Sequence, residues 1–432
     1  MFFTEPTNFY EAIKPLSYFN WFVGLGVFRK PNQSNLSFLY MRLQMVIFNL
    51  INWTMVYTGL IIVMQTEDTI NDGPPMARTM YRVLICANSC LVVLAPLSAW
   101  LQLKEVKRVI IQMESLDVTL QTTLGIKTNY KGIYIRLNCE VIVGVLFMFA
   151  VSIVDFLVSP SYGQSLMTVL SVSATQHQPI IAIFLLGLNF CTSLRYVKSK
   201  FRDLNNGLQE LAAGQSATSC YSSEKLFVTS QNIANTIPIG GIKKVQVKSL
   251  KNDQLRSLRE IRKIHWELSK LAIKINSVYG VQNLITMGLS FVMITGLLYT
   301  IYCTVMWESA TIETFRNIIP STTWAIIYAF QIVIISHSCW STTNEAQRTG
   351  EVIYEFFIPK LQDENMQKEI QEFSVQMLQN PVRFNACGFF DMDYTYIQGV
   401  IGSVTTYLVI LIQMSQLSQS STSNPPANET GG

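Results

Sequence analysis

Charged residues are scarce in this chain, and their scarcity excludes several classes of protein. Only 14% of the 432 residues are Asp, Glu, Lys or Arg, whereas 49% are apolar. Ordinary globular chains carry about 25% charged residues. The composition is therefore typical of a membrane protein. The formal net charge of +4 does not indicate nucleic acid as a partner.

Residues that enzymes use for chemistry are also few and scattered. The three histidines, His177, His265 and His337, lie on different segments. The sequence contains no Cys-x-x-Cys pair, phosphate-binding loop or nucleophile elbow. The eight cysteines fall mostly in or beside apolar runs, where we expect small packing residues. The sequence therefore predicts neither an enzyme nor a bound cofactor or metal.

Long apolar runs, by contrast, are abundant. A helix needs about 20 apolar residues to cross a hydrocarbon core about 30 Å thick. Seven stretches meet this requirement: 39–64, 80–103, 135–158, 167–194, 277–307, 318–340 and 394–414. The predicted fold class is an all-α membrane protein with seven transmembrane helices.

The distribution of Lys and Arg predicts the orientation of the chain in the membrane. With the N-terminus inside, all but three of the 32 basic residues lie on inner segments or helix ends. Arg78, Arg82 and Arg316 are the three exceptions. We therefore expect a cytoplasmic N-terminus and an extracellular C-terminus. The sequon that begins at Asn428 would then be a glycosylation site on the outer side.

The last apolar run carries a recognisable motif. Thr406 and Tyr407 are followed by five apolar residues and then by Gln413. This pattern resembles the C-terminal signature of insect gustatory receptors, in which the glutamine is usually followed by Phe rather than by Met414. The segment 384–390, which precedes the run, resembles the family's approach to its last helix. Seven spans and the chain length match as well, so the resemblance covers the whole chain.

The resemblance implies a channel in the plasma membrane that is related to insect odorant receptors. In that family four subunits place the seventh helix around one axis, so we expect a homotetramer or a heterotetramer with related receptors. The channel would be a non-selective cation channel opened by a small dietary molecule. A ligand bound among the first six helices would act on the seventh through the fifth and sixth.

Domain boundaries follow from the predicted spans and the resemblance. A cytoplasmic segment (1–38), with an aromatic patch that suits the membrane surface, precedes the six helices and their cytoplasmic loops (39–340). An anchor (341–391), the pore helix (392–414) and an extracellular tail (415–432) follow. Within the loops, we expect a mobile stretch at about 213–252 and then an amphipathic helix over 253–275. The inner helices would join subunits, although a solvated helix on a monomer is the alternative.

The seventh helix is expected to line the pore. The predicted pore and gate residues are Gly402, Thr406, Val409, Ile410, Gln413 and Met414. Fourfold symmetry would make a ring of amides from Gln413 and, one turn inward, an apolar ring that excludes water. The helix has no acidic residue, so strong divalent selectivity is not expected. The alternative is a plain anchor helix with Gln413 among the lipid headgroups.

Polar residues inside the other spans predict a ligand pocket, because such residues are costly in a membrane and usually functional. The candidates share the outer depth of their helices, except for the deeper last one: Asn88, Asp155, Gln176, His177, Trp324 and Gln331. A carboxylate, an imidazole and amides beside an aromatic ring suit a hydroxyl-bearing ligand, and equally a polar alkaloid or glycoside. Alternatively, Asp155 reaches interfacial water and His177 makes only a structural hydrogen bond.

Several functional alternatives remain open. A bitter-type or other non-sugar tastant is slightly favoured, because Met414 replaces the usual Phe and no sugar-receptor signature is present. A sugar-gated channel of the same family is the first alternative. A seven-helix receptor without a pore, coupled to a cytoplasmic transducer, is the second. An odorant-type relative is a third, and a secondary transporter is disfavoured by the lack of internal repeats.

Overall fold

The chain folds into long helices, because backbone groups in a membrane must find their hydrogen bonds within the protein. The computed structural model describes residues 5–26, 35–70, 75–158, 166–229, 240–307, 312–357 and 364–423; within 212–229, 240–253 and several helix ends only the backbone is described. The helices in these ranges are α1 (Phe9–Ala12), α2 (Lys14–Val23), α3 (Asn35–Ile70), α4 (Pro75–Leu124), α5 (Tyr130–Val158), α6 (Leu166–Thr229), α7 (Gly240–Trp307), α8 (Ile312–Phe357), α9 (Glu364–Gln379) and α10 (Tyr394–Ser423).

Seven of the helices in the described ranges are long and apolar enough to cross a membrane: α3 to α8 and α10. This confirms the predicted all-helical fold with seven candidate spans. The helices extend beyond the predicted spans, because an amphipathic helix continues in water where hydropathy alone marks an end. Part of the stretch predicted to be a mobile loop is therefore helical, up to Thr229 and again from Gly240. Its central part, 230–239, lies outside the described residues.

The core of the molecule surrounds α6, which packs against α3, α4, α7 and α8. The amphipathic helix predicted over 253–275 forms the first part of α7, and its apolar residues at three- and four-residue steps are buried. These are Leu258, Ile261, Ile264, Leu268, Leu271 and Ile275. Ion pairs add to the contact between α7 and α9: the Glu369 carboxylate lies 3.1 Å from Arg259 Nε and 2.6 Å from Arg262 Nε.

The N-terminal segment, whose aromatic patch was predicted to lie at the membrane surface, packs against α6. Phe9 of α1 is buried, and its ring lies 4.8 Å from the ring of Tyr196 on α6. On α2, the Asn20 side chain exchanges two hydrogen bonds with Asn189 of α6, at 2.9 and 3.0 Å. Only the opposite face of α2, with Tyr18 and Phe22, remains exposed. The segment is thus part of the helical core on one side.

Gly24 connects the N-terminal segment to helices α3 and α4. It ends α2 with φ +84°, a left-handed conformation that favours glycine. Its carbonyl oxygen accepts hydrogen bonds from Asn49 Nδ2 on α3 at 3.2 Å and from Trp100 Nε1 on α4 at 2.9 Å. A Cβ atom at this position would lie 2.0 Å from Asn49 Nδ2. Gly24 therefore meets both a conformational and a steric requirement.

We expect Gly24→Ala to lower the thermal stability of the detergent-solubilised protein. The left-handed backbone costs an alanine about 1–2 kcal/mol, and displacing Asn49 weakens hydrogen bonds worth about 1 kcal/mol each. Gly125→Ala is the matched control: Gly125 ends α4 with φ +68°, but a Cβ there would meet nothing within 4 Å. Fluorescence-detected thermal unfolding should show a clearly larger loss for Gly24→Ala. Equal losses of thermal stability in the two variants would contradict the proposed role of Gly24 in connecting α2 to α3 and α4.

Candidate ligand site and pore helix

Three of the predicted site residues meet in one buried polar cluster that joins α5, α6 and α8. The Oδ2 atom of Asp155 lies 3.2 Å from His177 Nε2 and accepts a hydrogen bond from Trp324 Nε1 at 2.8 Å. The rings of His177 and Trp324 lie 5.4 Å apart. Asp155 and His177 are each only 7% exposed, so the carboxylate and the imidazole are shielded from solvent. We call these three residues the Asp155 cluster.

Both ring nitrogens of His177 lie within hydrogen-bond distance of oxygen atoms. Its Nδ1 atom lies 2.9 Å from the carbonyl oxygen of Ser173, one turn earlier on α6, and its Nε2 atom faces the Asp155 carboxylate. The Nδ1 atom also lies 3.3 Å from the Oγ atom of Ser173. These contacts fix the orientation of the imidazole ring beside the Asp155 carboxylate.

Only one of the two Asp155 carboxylate oxygens, Oδ2, has hydrogen-bond partners among the described residues. The Oδ1 atom is buried and has no hydrogen-bond partner among the residues that the structure describes. A buried carboxylate oxygen without a donor is costly, so natural proteins usually provide one. An N–H or O–H group of a bound molecule is one such donor. This free oxygen is the feature of the cluster that is suited to ligand recognition.

A second polar group joins α4, α6 and α8. Asn88 Nδ2 donates to the carbonyl oxygen of Gln176 at 3.2 Å, and Asn88 Oδ1 accepts from Tyr328 Oη at 3.1 Å. Gln176 therefore takes part through its backbone carbonyl, whereas the sequence predicted its side-chain amide. Gln331 lies elsewhere along α8, where its Nε2 atom donates to the carbonyl oxygen of Ile183 at 3.1 Å.

Tyr328 is a member of this second polar group that the sequence analysis missed. Its ring is fully buried, and it lies four residues after Trp324 on the same face of α8. That i, i+4 spacing was visible in the sequence. A tyrosine in an apolar span, however, does not reveal that its hydroxyl faces Asn88 on a distant helix. Among the described residues, no group of His, Cys, Asp and Glu is arranged as metal ligands.

The seventh candidate span, α10, has one packed face and one open face. Only 6% of the most apolar 18-residue stretch of this helix is buried within the chain. The packed face is a stripe at three- and four-residue steps: Ile397, Val400, Val404, Leu408, Leu411 and Ser415. This stripe lies against α7 and α8. All six predicted pore and gate residues, Gly402, Thr406, Val409, Ile410, Gln413 and Met414, are exposed.

Four of these exposed residues share a narrow strip opposite the packed face. At 100° per residue, Gly402, Thr406 and Val409 lie within about 40° of Gln413 around the helix, whereas Leu408 lies about 140° away. Ile410 and Met414 flank the strip on one side, at about 60° and 100°. The arrangement is compatible with a pore-lining face. The predicted glycosylation site at Asn428 lies outside the described residues.

The first residue of α10, Tyr394, is joined to α8, the helix that also carries Trp324. His337 Nδ1 lies 2.7 Å from Tyr394 Oη, and the rings of Trp340 and Tyr394 lie 5.2 Å apart. From Trp324 to His337 is about 20 Å along α8, at 1.5 Å per residue. One continuous helix therefore connects the Asp155 cluster to the start of α10.

The fold and the buried polar clusters define a membrane protein with seven candidate spans, the last of which, α10, is packed on one face only. The 7tm Chemosensory receptor family model matches residues 13–418. The chain therefore belongs to the 7tm chemosensory receptor family. It is a multi-pass membrane protein, as the sequence predicted.

Curated relatives are similar over part of the chain. The Drosophila melanogaster protein "Gustatory receptor for bitter taste 66a" is 27% identical over 192 residues, which are 44% of this chain and 34% of the relative. "Gustatory and pheromone receptor 32a" of the same fly is 32% identical over 107 residues, 25% of this chain and 23% of the relative. The chain thus spans about a third or less of these two relatives. Both confirm the resemblance to gustatory receptors.

Solved structures confirm the fold over nearly the whole chain. The insect olfactory receptor OR5 from Machilis hrabei superposes with a TM-score of 0.60 at 11% identity, covering 94% of this chain and 98% of that one. The same receptor in complex with eugenol gives a TM-score of 0.58 at 12% identity, with the same coverage. At these identities the likeness concerns the fold alone.

Proposed function

We propose that the protein is a tastant-gated, non-selective cation channel that responds to a small dietary molecule. The observation that carries the proposal is the open face of α10. A spanning helix that is packed on one side and carries glycine, hydroxyl and amide groups on the other is poorly suited to face lipid. The same face is suited to line an aqueous path. The gustatory receptors among the relatives support the taste assignment.

The proposed channel is a tetramer with α10 of each subunit around a central axis. A closed ring places the strip from Gly402 to Gln413 at the axis and repeats each residue four times. The α7 and α9 helices, with the start of α10, would form the cytoplasmic anchor that joins the subunits. The N-terminus would be cytoplasmic and the C-terminus extracellular, in agreement with the distribution of basic residues. The tetramer can be a homomer or include related receptors.

Cross-linking and single-particle images in gentle detergent test the assembly. We expect fourfold particles, and cross-links between introduced cysteines at Thr406 or Gln413 of different copies. Cysteine at Leu408, which packs within its own chain, is the matched control and should not cross-link. Particles no larger than dimers, or cross-linking only at Leu408, would contradict the tetramer.

The proposed ligand site is the Asp155 cluster. A ligand that donates a hydrogen bond to Asp155 Oδ1 gives a partner to the free buried oxygen, and a protonated amine adds charge to that contact. Trp324 offers an aromatic face beside it, which also favours cations. Basic alkaloids, which are typical bitter compounds, combine these features. A bitter-type tastant is therefore favoured over a sugar, as the name of one relative also supports.

The proposed coupling runs through α8. A ligand can shift a channel towards its open state only by binding that state more tightly. Because Trp324 and the contacts of His337 and Trp340 with Tyr394 lie on one helix, a movement of α8 at the cluster is transmitted to α10. Rearrangement at the cluster would thus move the outer part of α10 away from the axis.

Isosteric removal of the carboxylate charge tests the ligand site. We expect Asp155→Asn to raise the half-maximal concentration of basic alkaloids about tenfold or more, since a hydrogen bond to a charged group contributes about 1.5–3 kcal/mol. Responses to uncharged polyols should change less. Calcium imaging with panels of alkaloids and sugars measures both responses and identifies the tastant class.

Ser152→Ala is the matched control for Asp155→Asn. Ser152 lies one turn earlier on α5, and its Oγ atom donates only to its own helix, at the Met148 carbonyl oxygen. Surface biotinylation separates loss of binding from loss of folding. Unchanged dose-response curves for both Asp155→Asn and His177→Ala, with normal surface levels, would remove the cluster from the ligand site.

Whole-cell recording tests the gate. An apolar ring excludes water and so blocks ions, and shortening Val409 to Ala should therefore raise the ligand-free current. Shortening Gln413 to Ala should do the same, because it widens the ring of amides next to the apolar ring. Thr406→Ala should have a smaller effect, because its surroundings at the axis are already polar. Leu408→Ala is the control, since Leu408 is half-buried against its own chain. Constitutive current from Leu408→Ala, with normal gating in the Val409 and Gln413 variants, would show that the proposed pore-lining face of α10 is wrong.

A further inference from the structure

A cavity of about 350 Å³ lies between the loop before α5, the first turns of α5 and the middle of α6. Four basic side chains line it: Lys127, Arg136, Arg195 and Lys200. Arg136 is about 28 Å along α5 from Asp155, at 1.5 Å per residue. The cavity is therefore separate from the Asp155 cluster and plays no part in the proposed ligand site.

Two of the four cations are neutralised by carboxylates, and two are not. Arg195 forms an ion pair with Glu140, and Lys200 Nζ lies 2.7 Å from Asp117 Oδ1. Lys127 and Arg136 are exposed, and neither has an ion pair among the described residues. The other acidic residue of the lining is Asp203, which is half-buried. The cavity thus holds two unpaired cations against one unpaired carboxylate.

The rest of the lining includes the polar residues Thr128, Asn129, Thr192 and Ser199. The hydroxyl groups of Thr128 and Ser199 already donate to Asp117 and to the Tyr196 carbonyl oxygen, whereas the buried Thr192 hydroxyl has no hydrogen-bond partner among the described residues. The first turn of α5, which begins at Tyr130, adds the partial positive charge of a helix start. A group with several negative oxygens needs this combination of cations and donors. A volume of this size also accommodates a small organic anion.

We propose that this cavity binds a phosphate-bearing anion. In the predicted orientation it lies at the cytoplasmic ends of the third and fourth spans, where basic pockets between helices bind anionic lipid headgroups. Ile135, on α5 beside Arg136, is 57% exposed and offers apolar surface next to the charges. The phosphate can come from an inner-leaflet lipid or from a soluble organic phosphate. Lys127 and Arg136 are the residues that recognise it.

Lipid retention by the full-length protein in detergent tests the lipid source. Native mass spectrometry should show preferential retention of phosphatidylserine and of phosphoinositide over phosphatidylcholine. Each basic residue near a membrane surface contributes about fivefold in affinity for anionic lipid. Lys127→Gln with Arg136→Gln should therefore weaken retention of the anionic lipids about 25-fold, if the two effects add. Lys104→Gln with Lys107→Gln, exposed residues of α4 outside the cavity lining, removes the same charge and should change little.

Thermal shifts with inorganic phosphate and inositol hexakisphosphate test the soluble source in the same set of variants. Asp203→Asn removes the opposing carboxylate and should tighten binding about fivefold, a gain that a purely structural role does not produce. A lipid preference that the cavity variants abolish assigns the lipid headgroup, and a shift with soluble phosphates alone assigns the soluble source. If wild type and the Lys127/Arg136 variant bind lipids and soluble phosphates equally, or the α4 control loses as much binding, the proposal is wrong.

Discussion

Polar groups that are removed from water need partners within the protein, and this requirement organises the helices. Asn88 ties α4 to α6 and α8, and Asp155 ties α5 to the same two helices. Three of these four pairings join helices that are not consecutive in the sequence, so they specify the relative position of those helices more sharply than apolar packing does. The central place of α6 follows, because its backbone and side chains supply partners to both groups.

Two buried carboxylates show how the same requirement separates a structural role from the proposed recognition role. Both oxygens of Asp117 have partners: Oδ1 contacts Thr128 at 2.8 Å and Lys200 at 2.7 Å, and Oδ2 contacts Tyr130 at 2.7 Å. In the Asp155 carboxylate only Oδ2 has partners among the described residues. The first group joins α4, α5 and α6 and is complete. The second leaves one acceptor without a donor, and the proposed ligand would supply that donor.

In α10, only some of the polar groups have partners within the described part of the chain. The packed stripe of α10 is apolar apart from Ser415, whereas the open face carries Thr406 and Gln413. Both side chains are exposed, and none of the helices that the structure describes covers them. Other copies of the chain, or water in a pore, would complete them. A Cβ atom at Gly402 would meet nothing within 4 Å in the single chain, and in the proposed tetramer this small residue would let helices approach closely.

The sequence alone determined the number of spans, the helical class and the family, because hydropathy over 20 residues and a short motif are local properties. It also singled out Asp155, His177 and Trp324 as candidate ligand-site residues, since a polar residue in an apolar run is conspicuous. It did not reveal Tyr328, the backbone role of Gln176 or the packing of Phe9. Those depend on which faces of distant helices meet. Only the tertiary structure decided that, because helix periodicity defines a face but not its partner.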